Sequence, residues 1–197
     1  LLDLLTVNET SFFRNRPQID LFRNIVLPDV MGKKAQDSQK RLRIWSAGCS
    51  TGEEPYSIAM EVLETVQGNR LWDVKIFASD LSLKALETAS RGEYSADKVR
   101  ATVDDYYIGK YFEERGDRYS MKDELKKLVV FDYHNLKNDN GLRNLDVILC
   151  RNVMIYFDEE EMKRLIGKFS ISLNPGGYLL PGHAESLHGL NTGFQFV

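Results

Sequence analysis

A mostly parallel α/β sheet with covering helices and one small antiparallel insertion is the fold class this sequence predicts, and three observations predict it. Short apolar runs at 42–45, 74–79, 128–131, 146–150 and 178–180 have strand length, and most of the segments between them are helical in period. Polar residues follow directly on several of these runs, where an open sheet of this kind holds a ligand. Residues 45–58 read WSAGCSTGEEPYSI, joining a strand, a small-residue turn and a helix start in one stretch.

Taken in chain order, residues 1–5 read as the end of a helix or a linker, and 6–16, TVNETSFFRNR, as a polar and aromatic segment. Ile19, Phe22, Ile25 and Val26 predict one buried side of a helix over 17–31, followed by a lysine-rich loop over 32–40. The first strand runs into Gly48 and Gly52. With Ser46, Ala47, Ser50 and Thr51 around them, these glycines let a ligand approach the main chain, which makes Ala47 and Gly48 expected cofactor-binding positions. Glu53 and Glu54 stand in the first helical turn beside Pro55, where acids and proline suit a helix start. Ile58, Ala59, Val62, Leu63 and Val66 then give that helix an apolar side.

The second strand ends at Asp80, and Ser82 caps a helix over about 82–91 whose apolar side is Ala85, Leu86 and Ala89. Residues 94–127 are less regular. They contain four aromatic residues between 105 and 112, and a strand at 118–121 entered through Arg115-Gly116-Asp117, which predicts a hairpin. A third and a fourth strand follow at 128–131 and 146–150, then a helix over about 159–173. The Asn174-Pro175-Gly176-Gly177 turn leads into the fifth strand. The expected division is an N-terminal segment and helix over 1–40 closing over the ligand site, and a binding domain over 41–197 with its β insertion at about 106–127.

Composition narrows the function. At 197 residues and 43% hydrophobic content one well-buried domain is expected. A net charge of -3 gives no general electrostatic reason to bind nucleic acid, although a local basic patch stays open. Two cysteines, Cys49 and Cys150, form no disulfide framework and fit a reducing cytoplasm. No apolar stretch approaches the ~20 residues of a membrane span and no signal-peptide pattern opens the chain, so a cytoplasmic protein without membrane insertion is expected. His134, His183 and His188 lack zinc-ligand spacing, and no metal is expected. Ser46, Ser50 and Ser186 lack the G-x-S-x-G elbow of acyl transfer.

The G-x-x-x-G spacing of the turn departs from the G-x-G-x-x-G fingerprint that seats a pyrophosphate. Two carboxylates at the helix mouth would repel a pyrophosphate and attract an ammonium or sulfonium group. A positively charged nucleoside ligand follows, S-adenosylmethionine being the commonest. A plain strand-to-helix turn with acidic capping is the alternative. Asp80 suits two ribose hydroxyls or a helix cap. Asn135 suits adenine or an Asx turn. Arg151 interrupts an apolar run, so it meets a carboxylate or lines an open cleft, with Asn152 beside it. Tyr156 shares a helical side with Asn152 or is a core aromatic.

Five motifs in order, TVNETSFFR, WSAGCSTGEEPYSIAM, FASDLSLKALETA, LCRNVMIYFD and LNPGGYLLPGHAES, resemble the CheR-type chemotaxis-receptor methyltransferases over about residues 6–186. These are S-adenosylmethionine-dependent protein-glutamate O-methyltransferases. The resemblance implies a class I methyltransferase-like, Rossmann-like fold with helices on both faces of the sheet. It also implies S-adenosylmethionine as cofactor, S-adenosylhomocysteine as product, and the cytoplasmic domain of methyl-accepting chemotaxis receptors as partner. By matching positions, Asn8, Thr10 and Arg14 close over cofactor and substrate. Glu54 meets the methionine portion, Asp80 the ribose, and Asn135 with Leu136 the adenine, while Arg151 and Asn152 form the strand-end pair beside the cofactor. Arg14 and Tyr156 are the expected catalytic residues, nearest the transferring methyl.

The sequence departs from the family pattern at three places. The small, often basic helical domain that usually precedes TVNETSFFR is missing here, and the final antiparallel strand pair is not reached, so a trimmed chain is expected. The hairpin near 115–121 lacks the longer glycine-rich loop of members that grip a receptor's C-terminal pentapeptide, which predicts an enzyme working without that tether. A monomer is expected. A catalytically inactive cofactor-binding signalling module is the alternative function. Arg151-Asn152-Val153-Met154 in place of an N-P-P-Y motif disfavours a nucleic-acid methyltransferase, and the glycine spacing disfavours a dehydrogenase.

Overall fold

Each expected parallel strand forms, and their order creates the crevice that matters for function. The computed structural model describes residues 9–36, 40–66, 71–183, 185, 187 and 193–196. In chain order the strands are β1 (Lys40–Ala47), β2 (Trp72–Asp80), β3 (Glu93–Ser95), β4 (Phe112–Arg115), β5 (Arg118–Met121), β6 (Val129–Tyr133), β7 (Leu145–Cys150) and β8 (Leu173–Pro181). Five pair in parallel in the order β6-β2-β1-β7-β8. The chain thus builds outward from β1 through β2 and β6, then returns to the other side of β1 for β7 and β8. Such a reversal leaves a gap above the carboxyl ends of the central strands.

Burial explains why these runs are strands. All six residues of β7 are buried, as a central parallel strand covered on both faces requires. On β1, Leu42 and Ile44 join one apolar cluster while Trp45 and Ala47 join the other. The first cluster takes α3 (Glu53–Val66) through Ile58, Ala59 and Val62, and α4 (Leu83–Arg91) through Leu86. The second takes α8 (Glu159–Ser172) through Leu165, Ile166 and Phe169. Helices therefore cover both faces. Ser82 caps α4 by accepting the Ala85 N–H at 3.1 Å, and Asp158 with Glu161 form a capping box at the start of α8.

The N-terminal helix differs from expectation in one instructive way. α1 (Arg16–Leu21) and α2 (Leu27–Lys33) are joined by a π turn at Phe22–Val26, closed by the Leu27 N–H on the Phe22 carbonyl. Pro28 has no N–H to continue an α ladder and its ring would press on the Asn24 carbonyl, so a widened turn relieves it. The extra residue also rotates the buried side. Leu27 and Val30 point inward, whereas Ile25, expected in the core, is 53% exposed. The helix runs to Lys33, so the expected lysine-rich loop starts later, and 37–39 lie outside the described residues.

The antiparallel insertion is a three-stranded sheet in the order β3-β5-β4, with α5 (Ala96–Arg100), α6 (Asp105–Tyr111) and α7 (Asp123–Lys126) around it. The hairpin expected at 115–121 forms, its turn made by Gly116, at φ 65°, and Asp117. The third strand, Glu93–Ser95, begins ahead of the expected insertion. β8 also starts earlier than expected: Leu173 pairs with Leu145, the next pair is Tyr178 with Val147, and Asn174–Gly177 bulge out between them. Among the described residues no helix is long and apolar enough to cross a membrane.

Candidate active site

The segment Glu9–Asn15 is irregular, yet four contacts fix it over the sheet edge. Phe12 is 1% exposed and meets the rings of Tyr94 and Phe112 edge-on, at centroid distances of 4.9 and 5.5 Å. Phe13 packs on Tyr107 at 5.0 Å, and its N–H donates to Ser57 Oγ at 2.9 Å. Phe13 and Asn15 both have positive φ, 51° and 59°, a conformation non-glycine residues hold only when their surroundings impose it. The insertion sheet and α3 impose it here. The segment is thereby turned so that Arg14 reaches the space above β1.

A cavity of about 700 Å³ lies between this segment and the strand ends, within the range of cofactor sites. Four of the five parallel strands deliver to it. Past β1 come Gly48, Cys49 and Ser50; past β2, Asp80 and Leu81; past β6, His134, Asn135 and Leu136; past β7, Arg151, Asn152 and Val153. Thr10, Arg14, Glu54 and Tyr156 complete the set expected from sequence. One expected residue among those described, Ala47, is missing from the lining. Ala47 is fully buried in the sheet core, and Asn8 lies outside the described residues.

The acidic pair at the helix mouth is divided. Glu54 faces the cavity, accepting the Ser46 hydroxyl at 2.7 Å and Arg151 Nη1 at 3.2 Å. Glu53 points the opposite way, fully buried, bonded to the Thr51 hydroxyl and paired with Lys98 from α5. The expectation that both carboxylates face a cationic ligand is thus corrected: adjacent helical residues diverge by about 100°, so one serves the cavity and one the insertion. Burial pushes the Glu54 carboxyl above its ordinary value, and Arg151 and Ser46 hold the rise back.

Arg151 has a side chain 4% exposed, and besides Glu54 it donates through Nη2 to the Arg14 carbonyl. Asp80 accepts the Ser50 N–H at 2.8 Å and the Ser82 N–H at 2.9 Å. Each oxygen keeps a second lone pair for hydroxyl donors. Asn135 closes an Asx turn through Oδ1 on the Lys137 N–H at 2.9 Å, which leaves its amide NH2 and a second Oδ1 lone pair to offer to adenine. Tyr156 is 60% exposed on a 3-10 turn at Met154–Tyr156, at the rim and outside the core.

The two turn glycines have packing reasons of their own. The Gly48 N–H donates to the Ser79 carbonyl, and a Cβ at this residue, φ 85°, would meet Val153 Cγ2 at 2.3 Å. A Cβ at Gly52 would meet Ala89 Cβ at 2.8 Å, so that glycine serves the packing of α4. Gly48 lines the cavity and Gly52 does not.

Residues 8–197 match the family described as CheR methyltransferase, SAM binding domain. The chain belongs to that family. The chemotaxis protein methyltransferase of Borreliella burgdorferi is 39% identical over 201 residues, spanning 100% of this chain and 70% of that protein. That of Vibrio parahaemolyticus is 40% identical over 200 residues, spanning 100% of this chain and 71% of its own. The crystal structure of DszA carbon methyltransferase shares the fold at 15% identity, with a TM-score of 0.56 over 91% of this chain and 38% of that one.

As a CheR methyltransferase the chain is an S-adenosylmethionine-dependent enzyme with a class I methyltransferase fold. The donor set fits that cofactor. Arg151 and Glu54 present a cation and an anion side by side, the complement of a zwitterionic amino acid, while Asp80 and Asn135 offer acceptors and a donor at the nucleoside end. Among the described residues no group of three His, Cys, Asp or Glu side chains could hold a metal. Burial raises the Cys49 and Cys150 thiols well above their ordinary value, so neither is a thiolate nucleophile.

Sequence reasoning missed Glu185. It is 6% exposed and accepts four main-chain N–H groups: Asn152 at 3.0 Å, Gly182 at 2.6 Å, Met154 at 2.7 Å and Ile155 at 3.3 Å. This carboxylate holds the end of β8 against the segment that carries Asn152, at φ 59°, and Tyr156. Its signal was the lone acid in the PGHAES stretch after the last strand. Ser57, the anchor of Phe13, gave no signal beyond a hydroxyl on a buried helix side.

Proposed function

We propose that this enzyme transfers the methyl group to glutamate side-chain carboxylates on the cytoplasmic domain of methyl-accepting chemotaxis receptors, as a protein-glutamate O-methyltransferase. The observation behind this reading is that one guanidinium, Arg14, and one phenol, Tyr156, both line the cofactor cavity. S-adenosylmethionine, when bound, supplies a methyl on a positively charged sulfur, and transfer to a carboxylate oxygen yields the methyl ester and S-adenosylhomocysteine with no net proton change.

A glutamate acceptor has a pKa near ~4.3 and is already anionic at neutral pH, so the cavity needs no general base. Its residues instead orient and exclude water. Arg14 takes the acceptor carboxylate in a charge-assisted pair, and the Tyr156 hydroxyl donates to it. Holding the reacting atoms roughly 3–3.5 Å apart in a cleft with little water favours a step in which opposite charges cancel. Glu54 and Arg151 grip the methionine portion, Asp80 the ribose, Asn135 and Leu136 the adenine, with Thr10 and Asn152 beside them; Asn8 is assigned to the closing segment by resemblance. The tight Gly116–Asp117 turn supports recognition without a tether loop; the enzyme acts as a monomer in the cytoplasm on this reading.

Mass spectrometry of receptor cytoplasmic domains incubated with the enzyme and labelled cofactor tests this reading. Base-labile methyl esters on specific glutamates are the expected result. Label on other residue types, or none on any receptor tried while cofactor still binds, would sink it and favour the inactive signalling module.

A further inference from the structure

A second concavity of about 440 Å³ lies on the other side of the N-terminal segment, between residues 11–16 and the α5–α6 connection at 100–104. It shares Ser11, Phe13 and Arg14 with the cofactor cavity, so Arg14 stands where the two meet. Its charged lining is Arg14, Arg16 and Arg100 against Asp104 alone, on a chain whose net charge is -3. This is a basic patch in an acidic protein.

Two of these guanidiniums are held in place. Arg16 lies over the Phe13 ring, 4.5 Å from its centroid, and donates through Nη2 to the Thr102 carbonyl and to Asp104, each at 3.1 Å. Arg100 lies over Tyr119 at 5.5 Å, and its Nε and Nη2 donate to the Tyr119 hydroxyl at 3.2 and 3.0 Å, with Nη2 also on Glu114 at 3.1 Å. Among the described residues, Nη1 of neither arginine is hydrogen-bonded. The ion pairs to Asp104 and Glu114 are exposed at both ends, so exchanging those partners for an incoming carboxylate costs little. Stacking on an aromatic ring pre-orients each fork and lowers the entropy lost on binding.

Resting on the glutamate-transfer reading, we infer that this groove is the docking track for an acidic acceptor polypeptide. Carboxylates flanking the acceptor glutamate bind Arg16 and Arg100 while the acceptor itself passes Arg14 into the cofactor cavity. Specificity then comes from acids around the methylated residue, and Asp104 sets how strongly they are drawn in.

The test uses the full chain and two synthetic peptides with one central glutamate, flanked by aspartates in one and by asparagines in the other. Anisotropy reads binding and label transfer reads methylation. The aspartate peptide binds about tenfold tighter at low ionic strength, and the advantage collapses near ~0.5 M salt, where exposed charges are screened. Arg100→Glu and Arg16→Glu erase it, whereas Asp104→Asn enlarges it, and S-adenosylhomocysteine affinity by calorimetry stays unchanged throughout. A loss of folding would move all readouts together; opposite shifts at Arg100 and Asp104 would not arise that way. Equal binding of both peptides, or an acidic preference untouched by Arg100→Glu, overturns the docking track. Groove-dependent binding with no label on glutamate in either peptide supports the groove and sinks the glutamate reading instead.

Discussion

Arg151 bridges Glu54 and the main chain of Arg14: one guanidinium donates to Glu54 Oε2 at 3.2 Å and to the Arg14 carbonyl. The Glu54 carboxylate in the cavity wall and the N-terminal segment therefore share a single side chain. Lysine has one compact ammonium and cannot span both acceptors as the planar fork does. Losing a charge-assisted hydrogen bond costs about 1.5–3 kcal/mol, so Arg151→Lys should weaken S-adenosylhomocysteine binding about 10–100-fold by calorimetry.

The Arg14 side chain can be separated from its backbone. Arg14→Ala keeps the carbonyl that Arg151 holds, so cofactor affinity should stay within a few-fold. Acceptor turnover should fall about 100-fold, as misplacement of a reacting group does. Tyr156→Phe removes one hydroxyl, worth about 1 kcal/mol, and should slow transfer about fivefold. Unchanged turnover in Arg14→Ala would remove it from the acceptor site.

The N-terminal segment is anchored by Phe12. Truncating a fully buried phenylalanine costs about 3–5 kcal/mol, and here the loss falls on the contacts to Tyr94 and Phe112. Phe12→Ala should lower the melting temperature and loosen cofactor binding together. A variant with lowered stability but unimpaired cofactor affinity would show that the segment closes without this anchor.

Gly48 combines a left-handed backbone with a Val153 methyl group where a Cβ would stand. Gly48→Ala should destabilise by about 1–3 kcal/mol from backbone strain, and further from the clash. Adding Val153→Ala should recover the clash and leave the strain, a non-additivity that denaturant melts of the double variant measure.

What was legible in the sequence was local. The Ser82 cap, the Gly116 hairpin and the strand-end polar residues each follow from residue types within a few positions of one another. Ile25 and Glu53 were misplaced because the first depends on the π turn that Pro28 requires, and the second on Lys98, which belongs to the insertion. β3 was missed because three residues have no period to read and pair only with β5, far along the chain. Glu185 was missed for a related reason: its four partners are main-chain N–H groups, three of them 30 to 33 residues away, and main-chain groups leave no signature in a sequence.

Glu54 gives the last prediction, because its two roles respond to pH in opposite directions. Burial raises its carboxyl above the ordinary value in the folded protein, so between the unfolded and folded values the native state holds the extra proton. Its contribution to stability is then fully present below the unfolded value and lost as pH rises through the folded one. Gripping a cationic ammonium needs the ionised form, so cofactor affinity falls as pH drops through that same window. Glu54→Gln should flatten both limbs. Thermal melts without ligand and calorimetry with S-adenosylhomocysteine, each repeated across the acid range, check the two directions separately. A parent protein whose affinity holds constant down to the ordinary carboxylate range would mean that Arg151 keeps Glu54 ionised against its burial.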